Sequence, residues 1–412
     1  MHHRKSTRRP GGWSRRRRLL ATLPIFIVLF GILVTVSTLT DVQWHDDATG
    51  RTIMPSTPNT AVAFANPDDV PLPALGTYEV RDRYVTIDVT RASTGEVQTL
   101  NVHVREPVDA GNGLPGVVFL HGAGYGTCDN SFSDVAKAMG TAGIVTAVVD
   151  KPAWSTIDIN RDYPASADAY DAVIDYIRGL DAVDDGKVGI YATSEGTWIS
   201  SYLLQDDPDV AFQILLSPMV FTPRESLAFF VAQDFTLAGA HGGYQSFVRR
   251  VFNIDAALFG LTNLDIRTLT PEAYAIPTFV AYGSRDVMTA QIDGLHTILD
   301  MCERAGNPDV VIRSYRGGNH VLRPGDLTAL GTPYAGNYVN DLIDWIGGTL
   351  AGLDPICEQV AGAPIRQSSA VPTLRAQRVA TIYGVVLHIL TLVLLIASAA
   401  VALVGATRRI RQ

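Results

Sequence analysis

The chain has 412 residues, of which 47% are hydrophobic, and a formal charge of −8. That length allows one large domain with accessories and a sizeable core. The charge is uneven: apart from the +8 of residues 1–18 and the +3 of residues 408–412, the remainder carries −19, which repels phosphate backbones and excludes nucleic acid as a natural partner.

In chain order, Arg4, Lys5, Arg8, Arg9, Arg15, Arg16, Arg17 and Arg18 make residues 1–18 a basic tail. Residues 19–39 follow without a charge, close to the roughly 20 residues that span a bilayer. A cleaved secretion signal is the alternative. The run exceeds the roughly 7–15 apolar residues of such a signal, and no small-x-small site follows closely. Residues 40–77 are rich in Pro, Thr, Asn and Asp and read as an extracytoplasmic linker.

From Tyr78 the pattern changes. Residues 84–89 and 97–104 alternate apolar and polar side chains, as a pair of antiparallel strands does. Residues 117–120, 144–149, 188–191, 214–216, 278–282 and 310–312 are short, largely apolar runs, the signature of strands buried on both faces. Helical spacings lie between them. Tyr170, Val173, Ile174 and Ile177 form one apolar stripe, and Tyr338, Val339, Leu342, Ile343 and Ile346 form another. The alternation predicts an α/β domain over residues 78–352, with a mostly parallel central sheet covered by helices on both faces. Residues 221–275 interrupt it with Phe229, Phe230, Phe235, Tyr244, Phe247, Phe252 and Phe259. They read as a helical cap insertion, either a lid over an apolar substrate or a subdomain with its own aromatic core.

Residues 353–379 read as a second linker. Residues 380–406 are uncharged and long enough to span a bilayer, and a tail over 407–412 carries Arg408, Arg409 and Arg411. Basic residues outside both apolar runs place the two termini in the cytoplasm and the middle of the chain beyond the cell membrane. Such a location permits disulfides. Of Cys128, Cys302 and Cys357, the expected pair is Cys302–Cys357, both flanking elements late in the chain. No C-x-x-C pair and no His/Cys cluster points to a metal.

The chemistry concentrates in four places. Ser194 stands between the run 188–191 and the helical pattern that begins after it, with Ala192 two residues before and Gly196 two after. Small residues at those places fit a sharp strand-to-helix turn that exposes a nucleophilic hydroxyl. A serine in such a turn is otherwise a helix cap. A serine nucleophile needs a base, and the base needs an orienting acid. Asp286 follows the run 278–282 and His320 follows 310–312. Both therefore fall at carboxyl ends of strands, where open α/β sheets gather their functional groups. Asp150 is the rival acid, and His103, His121, His241 and His296 are the rival bases. Finally, His121, Gly122, Ala123 and Gly124 follow the run 117–120. The N–H of Ala123 can pair with that of Glu195 as an oxyanion hole. The glycines up to Gly126 precede no G-K-[ST], so they are not read as a phosphate loop.

The order Ser194, Asp286, His320, with His121-Gly122 ahead of them, resembles the α/β-hydrolase superfamily over roughly residues 78–352. The sequence Val149-Asp150-Lys151-Pro152 is similar to a loop of dienelactone-hydrolase-like and acyl-hydrolase relatives. Ala192 stands where the family usually has glycine. The resemblance implies an α/β-hydrolase fold and a serine hydrolase with catalytic Ser194, Asp286 and His320, needing no cofactor. The expected substrate is a carboxylic ester, small or lipid-like. A peptidase or an acyltransferase on the same residues, or an inactive binding module, are the alternatives.

Overall fold

The computed structural model describes residues 51–154, 161–239, 271–325 and 331–372, with isolated positions 23, 24, 27, 28, 31, 252 and 393. The two apolar runs, 19–39 and 380–406, lie outside the described residues except at Leu23, Pro24, Ile27, Val28, Gly31 and Val393, as do both basic tails. Among the described residues no helix is long and apolar enough to cross a membrane.

The strands are β1 (Arg51–Ile53), β2 (Val80–Thr90), β3 (Val97–Pro107), β4 (Leu114–Leu120), β5 (Val145–Val149), β6 (Val183–Thr193), β7 (Gln213–Leu216), β8 (Thr278–Gly283), β9 (Val310–Tyr315), β10 (Val360–Gly362) and β11 (Ile365–Gln367). Nine of them form one sheet in the order β10-β9-β8-β7-β6-β4-β5-β3-β2. The alternating segments pair as expected: β2 lies antiparallel to β3 from Val80 opposite Pro107 to Thr90 opposite Val97. β3 is also antiparallel to β5, and every later pairing is parallel. An antiparallel start followed by a parallel body is the α/β-hydrolase layout implied by the motifs.

The helices are α1 (Ser133–Thr141), α2 (Tyr163–Arg178), α3 (Gly196–Asp206), α4 (Pro223–Leu237), α5 (Gln291–Ala305) and α6 (Tyr338–Leu350). Because side chains alternate along a strand, each buried strand feeds two cores. Val118, Leu120, Ile190, Ala192, Val280 and Ile312 point into one, which α2, α3 and α5 cover. Val117, Phe119, Tyr191, Ile214, Phe279 and Val311 point into the other, under α1 and α6. The continuous apolar runs of the sequence are these strands, with no polar face because neither face meets water.

Two expectations change. The stretches read as linkers contribute structure: β1 pairs with β11, β10 extends the main sheet beside β9, and Phe64 bridges to Pro355. The Cys302–Cys357 disulfide is a correction, because all three cysteines are free thiols. Cys302, on α5, belongs to one core, and Cys357 packs against the other. The sheet stands between them, whereas a disulfide brings Cα atoms to within roughly 7 Å. The described part of the insertion packs both ways: Ala228 and Ala232 form a small cluster of their own with Val231, Phe235 and Phe252, while its other side joins the body. Phe229 of α4 is fully buried in the main core, and Gln233 donates to the Val287 carbonyl at 2.9 Å. Residues 240–251 and 253–270, with Tyr244, Phe247 and Phe259, lie outside the described residues.

Candidate active site

Ser194 occupies the single-residue turn between β6 and Glu195, which caps α3, and its φ is 51°. That left-handed conformation costs a non-glycine residue about 1 kcal/mol or more. The turn is held by Ser194 N–H donating to the Leu216 carbonyl of β7 at 2.9 Å, and by the Thr197 N–H and hydroxyl donating to the Ser194 carbonyl at 2.9 and 2.6 Å. Gly196 is needed for space. A Cβ there would stand 2.7 Å from the Leu120 carbonyl oxygen and 2.9 Å from that of His121. The end of β4 therefore runs directly under the start of α3.

The structure brings Ser194, His320 and Asp286 together. His320 Nε2 lies 2.9 Å from Ser194 Oγ, and His320 Nδ1 lies 3.1 Å from Asp286 Oδ2. All three are buried, at 7% or less exposed. Asp286 sits just beyond β8, and its Oδ1 accepts the N–H groups of Met288 at 2.8 Å and Thr289 at 3.3 Å. Burial alone would raise its carboxyl pKa. The adjacent His320 and these donors outweigh burial and hold it below the ordinary carboxylate value. The acid turn and the histidine loop are pressed together at Gly283, where a Cβ would collide with the carbonyl oxygens of Gly318 and Asn319.

The rivals fall elsewhere. Asp150 accepts the Cys128 N–H at 2.9 Å and the Asn101 amide at 2.7 Å, tying the loop after β4 to β3. His103 lies on β3, 2.7 Å from Asp82, stacked on Tyr84. His296 is exposed on α5, and His241 lies outside the described residues. His121 is buried, its Nε2–H donating to the Val149 carbonyl at 2.6 Å; burial pushes its pKa down to about 4, so it stays neutral. Burial pushes the thiols of Cys128 and Cys302 up to about 12, which leaves neither as a thiolate nucleophile.

The loop bearing Ala123 runs against the elbow: a Cβ on Gly122 would lie 3.3 Å from Ser194 Cβ. Among the described residues neither the Ala123 N–H nor the Glu195 N–H has an acceptor. Two further residues enter here to which the motifs assign no role: Lys151, inside the loop 149–152, and Arg161. Lys151 Nζ donates to the Gly122 carbonyl at 2.5 Å and lies 3.3 Å from Glu195 Oε2. Arg161 Nη1 lies 2.8 Å from Glu195 Oε1. The signals for Lys151 were the resemblance of that loop and its position just after β5, at the carboxyl edge of the sheet. Nothing local marked Arg161. A cavity of about 270 Å3 opens on this flank, lined by Tyr125, Trp154, Arg161, Tyr163, Glu195 and Ile199 among others.

No protein-family model and no curated protein matches the chain. Solved structures do. The 2,6-dihydroxy-pseudo-oxynicotine hydrolase is 18% identical, over 68% of this chain and 70% of its own, with a TM-score of 0.43. A hyperthermophilic esterase from Pyrobaculum calidifontis is 16% identical, over 66% and 83%, with a TM-score of 0.43. A fungal esterase structure from Rhizomucor miehei is 15% identical, over 68% and 86%, with a TM-score of 0.45. Such likenesses bring no activity to this chain.

Proposed function

We propose that this protein is a serine hydrolase that cleaves carboxylic esters with Ser194, His320 and Asp286, its catalytic domain held outside the cytoplasm by the apolar runs 19–39 and 380–406. His320 Nε2 accepts the Ser194 proton as Oγ attacks the carbonyl carbon. Asp286 accepts the Nδ1 proton in a hydrogen bond, which fixes the tautomer that leaves Nε2 basic and stabilises the imidazolium that forms. The N–H groups of Ala123 and Glu195 meet the developing oxyanion. His320 then gives its proton to the leaving alkoxide, and water, activated by the same imidazole, releases the acid from Ser194.

The observation that carries this reading is the relay of 2.9 Å and 3.1 Å on the two nitrogens of one imidazole, ending on a serine held at a strained φ of 51°. A serine acting only as a helix cap needs neither the histidine nor the strain. The ester, as opposed to an amide, comes from the family that the motifs resemble.

The test is covalent labelling by a fluorophosphonate probe, beside hydrolysis of a panel of short- and long-chain esters and peptides. Labelling and ester turnover are expected in the natural protein and absent in Ser194→Ala. A folded natural protein that takes up no probe overturns the reading. Protease added to intact cells tests the anchoring: cleavage of the domain, with both termini protected, is the expected pattern.

A further inference from the structure

The strongest unused group beside the site is Lys151, and a role for it in turnover rests on the protein being a serine hydrolase. Its side chain is 9% exposed, and the polar groups it reaches include two at the site. One is the carbonyl oxygen of Gly122, the peptide unit whose N–H belongs to Ala123. The other is the carboxylate of Glu195, whose own backbone N–H is the second donor offered to the oxyanion. The Glu195 side chain is 5% exposed, and it follows the nucleophile directly. An isolated buried carboxylate there would repel the negative charge that grows on the substrate oxygen. The backbone of Lys151 is fixed too, its N–H donating to the Gly126 carbonyl at 2.9 Å.

We propose that Lys151 is the positioning residue of the oxyanion hole. It ties the peptide plane of Gly122–Ala123 to the elbow that carries Glu195, and so sets the aim of both N–H donors. With Arg161 at 2.8 Å from the other carboxylate oxygen, it also neutralises the Glu195 charge beside the reacting carbonyl. A donor pair acts only when aimed at where the oxyanion will be, and a displacement of about 1 Å costs on the order of a hundredfold in rate. The contribution of Lys151 therefore falls on the transition state and not on ground-state binding.

The experiment measures ester hydrolysis by Lys151→Met, with kcat normalised to the fraction of sites that the fluorophosphonate titrates. The expected result is a fall in kcat of about 10- to 100-fold with KM within about threefold of the natural protein. Lys151→Arg, which keeps charge and donors, recovers most of the loss, and Lys137→Met on the exposed face of α1 changes nothing. Because Lys151→Met leaves the buried Glu195 carboxylate with one of its two cationic neighbours, Arg161, the variant carrying both Lys151→Met and Glu195→Gln serves where the single one fails to fold. It removes both charges at nearly constant volume and still leaves the Gly122 carbonyl without its ammonium. A kcat per titrated site within twofold of the natural value, in whichever variant folds, overturns the positioning role and leaves the hydrolase reading intact. A natural protein that neither labels nor turns over overturns both.

Discussion

Ser194 holds its place at the elbow at a cost in backbone conformation, and that strain can be measured apart from chemistry. Both Ser194→Ala and Ser194→Gly lack the hydroxyl, but only glycine takes φ 51° without a Cβ penalty. Ser194→Gly should be more stable than Ser194→Ala by about 1 kcal/mol, read by urea denaturation, with neither variant labelled. Equal stabilities would mean that the turn is not strained. His121 makes a second residue-scale prediction, about pH. Its pKa lies at about 4 in the fold because it is buried, against about 6.5 in the unfolded chain. Below about 6.5 the unfolded chain takes up a proton that the fold refuses, so stability rises with pH across this window and falls as pH drops from about 6.5 towards 4. Between pH 7.5 and pH 5 the natural protein should lose about 2 kcal/mol more than His121→Gln, which does not titrate but still offers an N–H to Val149. A stability difference that does not vary with pH would rule out a buried neutral imidazole.

At the scale of elements, the site exists because strand ends are stacked in a fixed register and their loops are pressed together. β6 delivers the elbow, β8 the acid turn and β9 the histidine loop, and Tyr282 of β8 stands opposite Ser314 of β9. The contact at Gly283 sets the gap between the last two loops. Gly283→Ala would drive the carbonyls of Gly318 and Asn319 away from β8 and carry His320 with them. The expected result is a loss of about 2 kcal/mol of stability from overpacking, together with a fall in kcat per titrated site of more than tenfold. Stability lost without any change in kcat would show that the histidine loop tolerates the shift. α4 adds to the same assembly. A capping box between Thr222 and Glu225 starts it, Pro223 fits its first turn, and Gln233 anchors it to the acid turn through Val287.

For the whole molecule, the segments on either side of the α/β body close over it. Arg313 of β9 is fully buried and is satisfied chiefly by backbone. Its guanidinium donates to the carbonyls of Thr60 at 2.8 Å, Ile312 at 2.9 Å and Glu358 at 2.9 Å. One side chain thus pins a stretch before the body and a stretch after it to the edge of the sheet. Arg313→Met should destabilise the protein by about 3 kcal/mol, because carbonyls are left buried without donors. Limited proteolysis of that variant should cut first within residues 354–372. A variant as stable as the natural protein would show that these segments are held by packing alone.

Much of this protein was legible in its sequence because local physics wrote it there. Strands buried on both faces have to be apolar throughout, so the runs at 117–120, 188–191 and 278–282 announced a covered parallel sheet. A strand-to-helix turn admits only small neighbours, so Ala192 and Gly196 marked Ser194. Asp286 and His320 could be picked out because strand ends are where such sheets gather their polar groups. The structure alone decided what depends on distance between residues far apart in the chain. The 2.9 Å and 3.1 Å contacts of His320 join residues 126 and 34 positions apart in the chain. Arg161 reaches Glu195 through space with no sequence pattern to announce it, and Cys302 and Cys357 are kept apart by the sheet between their cores. A sequence records which face each residue must hide, whereas which buried faces meet is fixed only when the strands take their order.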